Sequence, residues 1–155
     1  MSFVNAINII GSGLTAQQIR LDVVAENVTN SQTTRVENGE GAYRRKLVVF
    51  EAIDGRDTFR DAMARAAGRA VPNGSGKPNA GGVRVTQIYE DEAPMKMVYD
   101  PTHPDANEDG YVEMPNVDMV KEIADAMAAT RAYASNVTAF NTLKSVISSG
   151  LEIGR

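Results

Sequence analysis

The chain has 155 residues, 43% of them hydrophobic, with no cysteine and a formal net charge of −4. This length is expected to form one domain, and the lack of cysteine excludes disulfides, thiol catalysis and thiolate metal sites. The acidic balance, without a basic stripe, argues against a nucleic-acid partner. The first residues show neither the basic segment nor the apolar core of a signal peptide, so we expect any export to use another route.

Residues 1–30 carry a heptad pattern. Apolar residues alternate at steps of four and three from Phe3 to Val28, with one polar interruption at Gln17. No charge occurs between Ser2 and Ile19, but this stretch holds too many Asn, Gln, Ser and Thr residues for a membrane span. We therefore predict a coiled-coil-like helix without membrane insertion. Its predicted packing residues are Phe3, Ile7, Ile10, Leu14, Leu21, Val24 and Val28.

Residues 31–115 hold most of the charged residues and are predicted to form a small β-rich domain that faces solvent. Within this domain, residues 52–81 are expected to be an insertion or a mobile loop. For residues 57–69 a short helix is the alternative to a mobile loop. Runs rich in β-branched and aromatic residues predict four strands. These strands are Tyr43–Phe50, Val83–Tyr89, Met95–Tyr99 and Tyr111–Met114.

Residues 116–155 predict a second long helix, because Pro115 precedes it, Asn116 or Asp118 can cap it, and Gly154 closes it. From Ala126 to Leu143 the only charged residue is Arg131, so the helix lacks the charged outer face of a surface helix. An Ala-rich second face (Ala124, Ala128, Ala129, Ala132) is expected to stay exposed without neighbouring subunits. The predicted packing and assembly residues are Met119, Ile123, Met127, Ala134, Val137, Phe140, Leu143, Ile147 and Leu151.

Together these elements predict an α+β fold. Long N- and C-terminal helices are expected to pair in a coiled-coil-like hairpin, with the β-rich domain inserted between them. We expect neither an enzyme, a metal site nor a cofactor, because no nucleophile, base and orienting group form a recognisable set. The segment Asp105–Gly110 matches half of a calcium loop, but position twelve is Asn116 instead of glutamate, which favours a solvated turn.

The stretch Ser12–Asn30 resembles the N-terminal signature of the bacterial flagellar rod, hook and hook-associated proteins, although Glu26 and Thr29 depart from its usual Asn and Ala. Further segments are similar to the proximal rod members of that family. They are Tyr43–Lys46, Val98–Asn107, Gly110–Val117, Arg131–Tyr133, Asn136–Asn141 and Leu151–Arg155.

The resemblance implies a structural subunit of the proximal rod, the driveshaft that crosses the periplasm, needed for flagellum-dependent motility. It also implies helical assembly with copies of itself and with rod proteins of the FlgB, FlgF and FlgG type. The basal-body adaptor FliE and the flagellar type III export apparatus are further implied partners, and export is expected without a cleavable signal peptide. A distal rod or hook protein is the alternative; a cytoplasmic coiled-coil adaptor would explain the heptads but not the charge-free outer faces.

Overall fold

A computed structural model describes residues 3–36, 41–53, 63, 66, 67 and 81–153. Among these residues, two long helices flank four short strands, which confirms the predicted α+β class. The expectation for residues 52–81 falls mostly outside the described residues, as does closure of the second helix by Gly154. The elements are α1 (Phe3–Thr29), β1 (Lys46–Ala52), β2 (Val83–Glu90), β3 (Lys96–Tyr99), β4 (Tyr111–Met114) and α2 (Met119–Ile153).

Helix α2 begins at an Asx cap. The Asp118 carboxylate accepts a hydrogen bond from the backbone N–H of Val120 at 3.0 Å, which satisfies one of the free donors of the first turn. Of the two candidate caps, Asp118 therefore fills the position. Asn116 has another role, because its side-chain oxygen accepts a hydrogen bond from the backbone N–H of Arg45 at 2.8 Å.

The four strands form two separate two-stranded sheets, β1 with β2 and β3 with β4. In the second sheet the strands are antiparallel, with Lys96 opposite Met114 and Tyr99 opposite Tyr111. The rings of the two tyrosines meet edge to face, with centroids 5.3 Å apart. Strand β1 begins at Lys46, three residues later than predicted. Tyr43 and Arg45 lie before the strand, and their side chains bond Asn27 of α1 and Glu122 of α2.

The connection between β3 and β4 is a turn held by its own side chains. The Asn107 side-chain oxygen accepts hydrogen bonds from the backbone N–H groups of Asp109 (3.1 Å) and Tyr111 (2.8 Å). The Asp105 carboxylate pairs instead with Arg35 at 3.0 Å. Asn107 and Asp105 of the segment that matches half a calcium loop therefore serve the turn and an ion pair.

The described residues divide into two compact units. Unit 1 contains the described parts of residues 1–16, 50–85 and 132–155, and unit 2 those of 17–49 and 86–131. In unit 2, α1 and α2 run antiparallel, because Arg20 pairs with Asp125 while Asn27, further along α1, bonds Glu122, earlier in α2.

In unit 1 the start of β2 comes unusually close to α1. The Ser12 hydroxyl accepts a hydrogen bond from the backbone N–H of Val83 at 3.1 Å. A methyl group added at Gly82 would lie 2.6 Å from that hydroxyl, and Gly82 has a φ of +114°, a region that side chains disfavour. On α2 of the same unit, Asn136 lies against Gly13, where an added Cβ would be 3.0 Å from its amide nitrogen.

Candidate assembly surface

The predicted packing residues of α1 lie mostly against the rest of the chain. Val24 is 5% exposed and is part of the core. Ile7, Ile10, Leu14, Leu21 and Val28 are half-buried, whereas Phe3, at the helix start, is exposed. The heptad stripe of α1 is therefore largely covered within a single copy of the chain.

On α2 the corresponding residues are mostly uncovered. Met119, Ile123 and Met127 are 42%, 52% and 51% exposed. The other exposed members are Ala134, Val137, Phe140 and Leu151, whereas Leu143 and Ile147 are half-buried. We call the exposed row Met119, Ile123, Met127, Ala134 and Val137 the outer stripe of α2.

The inward face of α2 is instead small and polar. Glu122 and Ala129 are both 0% exposed, and Asn136 is half-buried. Glu122, Ala129 and Asn136 are seven residues apart and share one face of the helix, which lies roughly 100° around from the outer stripe at 3.6 residues per turn. The expectation that the Ala-rich face stays exposed without neighbours is wrong for Ala129, which the chain itself covers, and for Ala132, which is half-buried. Ala124 and Ala128 are exposed as expected.

Glu122 is the centre of a buried polar network in unit 2. Its two carboxylate oxygens accept hydrogen bonds from Arg45 Nε at 2.6 Å and from Asn27 Nδ2 at 3.0 Å. Asn27 is 1% exposed, and its side-chain oxygen accepts from the Tyr43 hydroxyl at 3.0 Å and from the Lys46 N–H at 2.8 Å. Its amide also donates to the Lys46 carbonyl at 2.9 Å, so every polar position of Asn27 has a partner.

The network shifts the pKa of two of its members. Burial, followed by the charges of Glu26, Glu122 and Glu90, raises the pKa of the Tyr43 phenol well above its ordinary value. Burial alone would lower the pKa of Arg45, but its hydrogen bond to Glu122 and that carboxylate's charge outweigh this, and the net direction is upward. Arg45 thus stays cationic and Tyr43 neutral.

This network fixes how the helices meet the β region. It joins residues from α1, from the segment before β1 and from α2, and Arg45 also reaches Asp91 at 3.5 Å. The sequence reasoning missed it. The sequence feature that could have pointed to the network is the presence of Asn27 and Glu122, two polar residues in helices that are otherwise poor in charge. Nothing in the spacing of these two residues identifies their partners.

The described residues offer no metal site. No group of three or more His, Asp or Glu residues among them is placed to hold an ion. The one histidine, His103, accepts a hydrogen bond at Nδ1 from the backbone N–H of Asp105 at 3.1 Å, within its own turn. Neither α1 nor α2, as far as the structure describes them, is long and apolar enough to cross a membrane.

Both ends of the chain match families of flagellar proteins. A profile described as flagella basal body rod protein matches residues 7–35, and one described as flagellar basal body rod FlgEFG protein C-terminal matches residues 108–153.

Individual proteins are similar along the whole chain. The flagellar basal-body rod protein FlgC of Bacillus subtilis (strain 168) is 43% identical, with all of both chains covered. The FlgC proteins of Borreliella burgdorferi (99% of this chain, 98% of the relative) and Escherichia coli O157:H7 (all of both chains) are each 38% identical.

Proposed function

This chain belongs to the FlgC family of flagellar basal-body rod proteins, and we propose on that premise that its terminal helices assemble it helically into the proximal rod. Its role is that of a structural rod subunit, and it assembles with other flagellar rod proteins in the basal body. The proposal adds the mode of assembly: subunits join through the outer stripe of α2, and the resulting tube transmits torque for flagellum-dependent motility.

The observation that carries this proposal is the exposure of the outer stripe. Met119, Ile123 and Met127 lie on consecutive turns and are each about half exposed. Fully burying one such side chain stabilises a complex by roughly 1.5–3 kcal/mol, so covering the remaining half of each contributes about 1 kcal/mol. Beyond this row, Arg131 is the only charged residue from Ala126 to Leu143, which suits a helix covered by a neighbouring subunit.

Further parts of the proposal rest on family membership. We propose FlgB-, FlgF- and FlgG-type rod proteins as neighbours, FliE as the adaptor at the base, and the flagellar type III apparatus as the export route. The rod would then stand in the periplasmic space, reached without a cleavable signal peptide. We also propose that residues 1–30 and 116–155 act as one helical core around a middle domain of residues 31–115, and that the chain has no catalytic role.

The test is the substitution Ile123→Asp in a flagellated strain whose own copy of the gene is deleted. We expect swimming to be lost, because an interfacial carboxylate would have to be desolvated without a partner. The purified variant should keep its far-UV circular dichroism spectrum, because Ile123 is 52% exposed in the single chain. Normal swimming of this variant would refute assembly through the outer stripe.

Ala93→Asp is the matched control, since it adds the same charge at an exposed position in the turn before β3. We expect this strain to swim normally. Loss of swimming in both strains, with both purified proteins folded, would show that added negative charge alone is harmful and would remove the support for the outer stripe.

A further inference from the structure

The helical parts of unit 2 contain seven charged side chains, and five of them have an oppositely charged partner. The two that form no ion pair with any described residue are Asp22 on α1 and Arg131 on α2. The paired side chains are Arg20 with Asp125, Glu26 with Lys46, Glu122 with Arg45, and Lys121 with Asp118.

Both unpaired side chains are exposed; Glu26, one turn after Asp22 on the same face of α1, is paired with Lys46. Asp22 has one described contact, a hydrogen bond of 3.0 Å from the Gln18 amide one turn earlier, and exposed Ala25 lies about one turn later. Arg131 follows Met127 by one turn and Ile123 by two, both about half exposed. Each of these two helix faces therefore presents one charge that has no ion-pair partner among the described residues, and these two charges are opposite in sign.

We propose that Arg131 on α2 of one copy faces Asp22 on α1 of a second copy of this chain. This inference rests on the proposed function, and it specifies which two faces meet. Opposite charges on two different faces of one chain complement each other between copies. A contact between unlike faces builds a ring where the rotation closes and an open helix where it does not, and a rod is the second case. The apolar side chains beside Arg131 would exclude water from the pair, and so strengthen it relative to an exposed ion pair.

The test is charge reversal in a strain lacking its own copy of the gene, with the rate of swim-ring expansion as the readout. Asp22→Arg and Arg131→Asp are each expected to slow swimming at least about tenfold, since each places like charges against each other at a repeated contact. Both purified variants should unfold at the urea concentration of the unaltered chain, because neither residue has an ion pair with any residue that the structure describes. The chain carrying both substitutions should recover at least half of the normal rate.

A second arrangement separates contact between copies from coupling within one copy. Co-expression of the Asp22→Arg chain with the Arg131→Asp chain restores opposite charges wherever the two chains alternate. Swimming should then recover, although neither chain supports it alone. Recovery in the doubly substituted chain without recovery on co-expression would overturn the contact between copies.

The matched control combines Asp22→Arg with Lys144→Asp, which changes the net charge by the same amount as Arg131→Asp but at another exposed basic residue of α2. We expect no recovery of swimming in this control. Recovery equal to that with Asp22→Arg and Arg131→Asp together would overturn the pairing. Normal swimming of either single variant would also overturn it, as would failure of the chain carrying Asp22→Arg and Arg131→Asp to recover. These failures leave the proposed function standing. Failure of the unaltered chain to restore swimming would instead refute the proposed function.

Discussion

Replacing Glu122 by glutamine tests the buried network that joins the helices to the β region. The carboxylate is 0% exposed and accepts hydrogen bonds from both Arg45 and Asn27. Glutamine has nearly the same shape but only one acceptor oxygen. Whichever way its amide is turned, its N–H group faces one of the two donors, and the charge that complements Arg45 is gone.

The expected cost follows from these contacts. A hydrogen bond to a charged group contributes about 1.5–3 kcal/mol, and leaving a buried donor unpaired costs about 1–3 kcal/mol. Arg45 keeps Asp91 at 3.5 Å and its side chain is 19% exposed, so water and the second carboxylate offset part of the loss. We expect Glu122→Gln to lower the free energy of unfolding by about 2–3 kcal/mol.

The assay is urea unfolding of the purified chain, followed by far-UV circular dichroism. With a urea dependence of about 1–3 kcal/mol per molar, the midpoint should fall by roughly 0.7–3 M. Glu92→Gln is the matched control, because Glu92 is exposed and forms no ion pair with the described residues; its midpoint should match that of the unaltered chain. A Glu122→Gln midpoint equal to that of Glu92→Gln would refute the reasoning.

Two further predictions concern stability. The pKa of Tyr43 is raised in the folded chain, so its contribution to stability is complete below the unfolded value of about 10 and is lost as the pH rises further. The difference between the absorbance titrations of the unaltered chain and of Tyr43→Phe should place the ionisation of this phenol above pH 10. Ionisation at or below pH 10 would contradict the prediction. Gly82→Ala should destabilise the chain in urea, because the new methyl group meets Ser12 at 2.6 Å and the φ is +114°. Gly11→Ala, which meets no atom within 4 Å in mid-helix, should stabilise the isolated chain by up to about 1 kcal/mol; the same sign of change in both glycine variants would contradict the account.

The sequence was sufficient for the elements because their signals are local. Spacings of three and four residues predict both helices, α1 starting at Phe3 and α2 ending at Ile153. Runs rich in β-branched and aromatic residues predict the strands to within about three residues. The resemblance in Ser12–Asn30 and in the segments near α2 identified the family, which the full-length similarity to FlgC proteins confirms. That the packing residues also drive assembly stays a prediction.

The side of α2 that meets the rest of the chain was decided only by tertiary structure. Periodicity finds the apolar row through Ile123 and Met127, but the chain buries the neighbouring row through Glu122 and Ala129. The reason is that Glu122 draws its partners from far away in the sequence, Arg45 at a separation of 77 residues and Asn27 at 95. No local pattern encodes those contacts, and once they form, the apolar row of α2 is left facing outward.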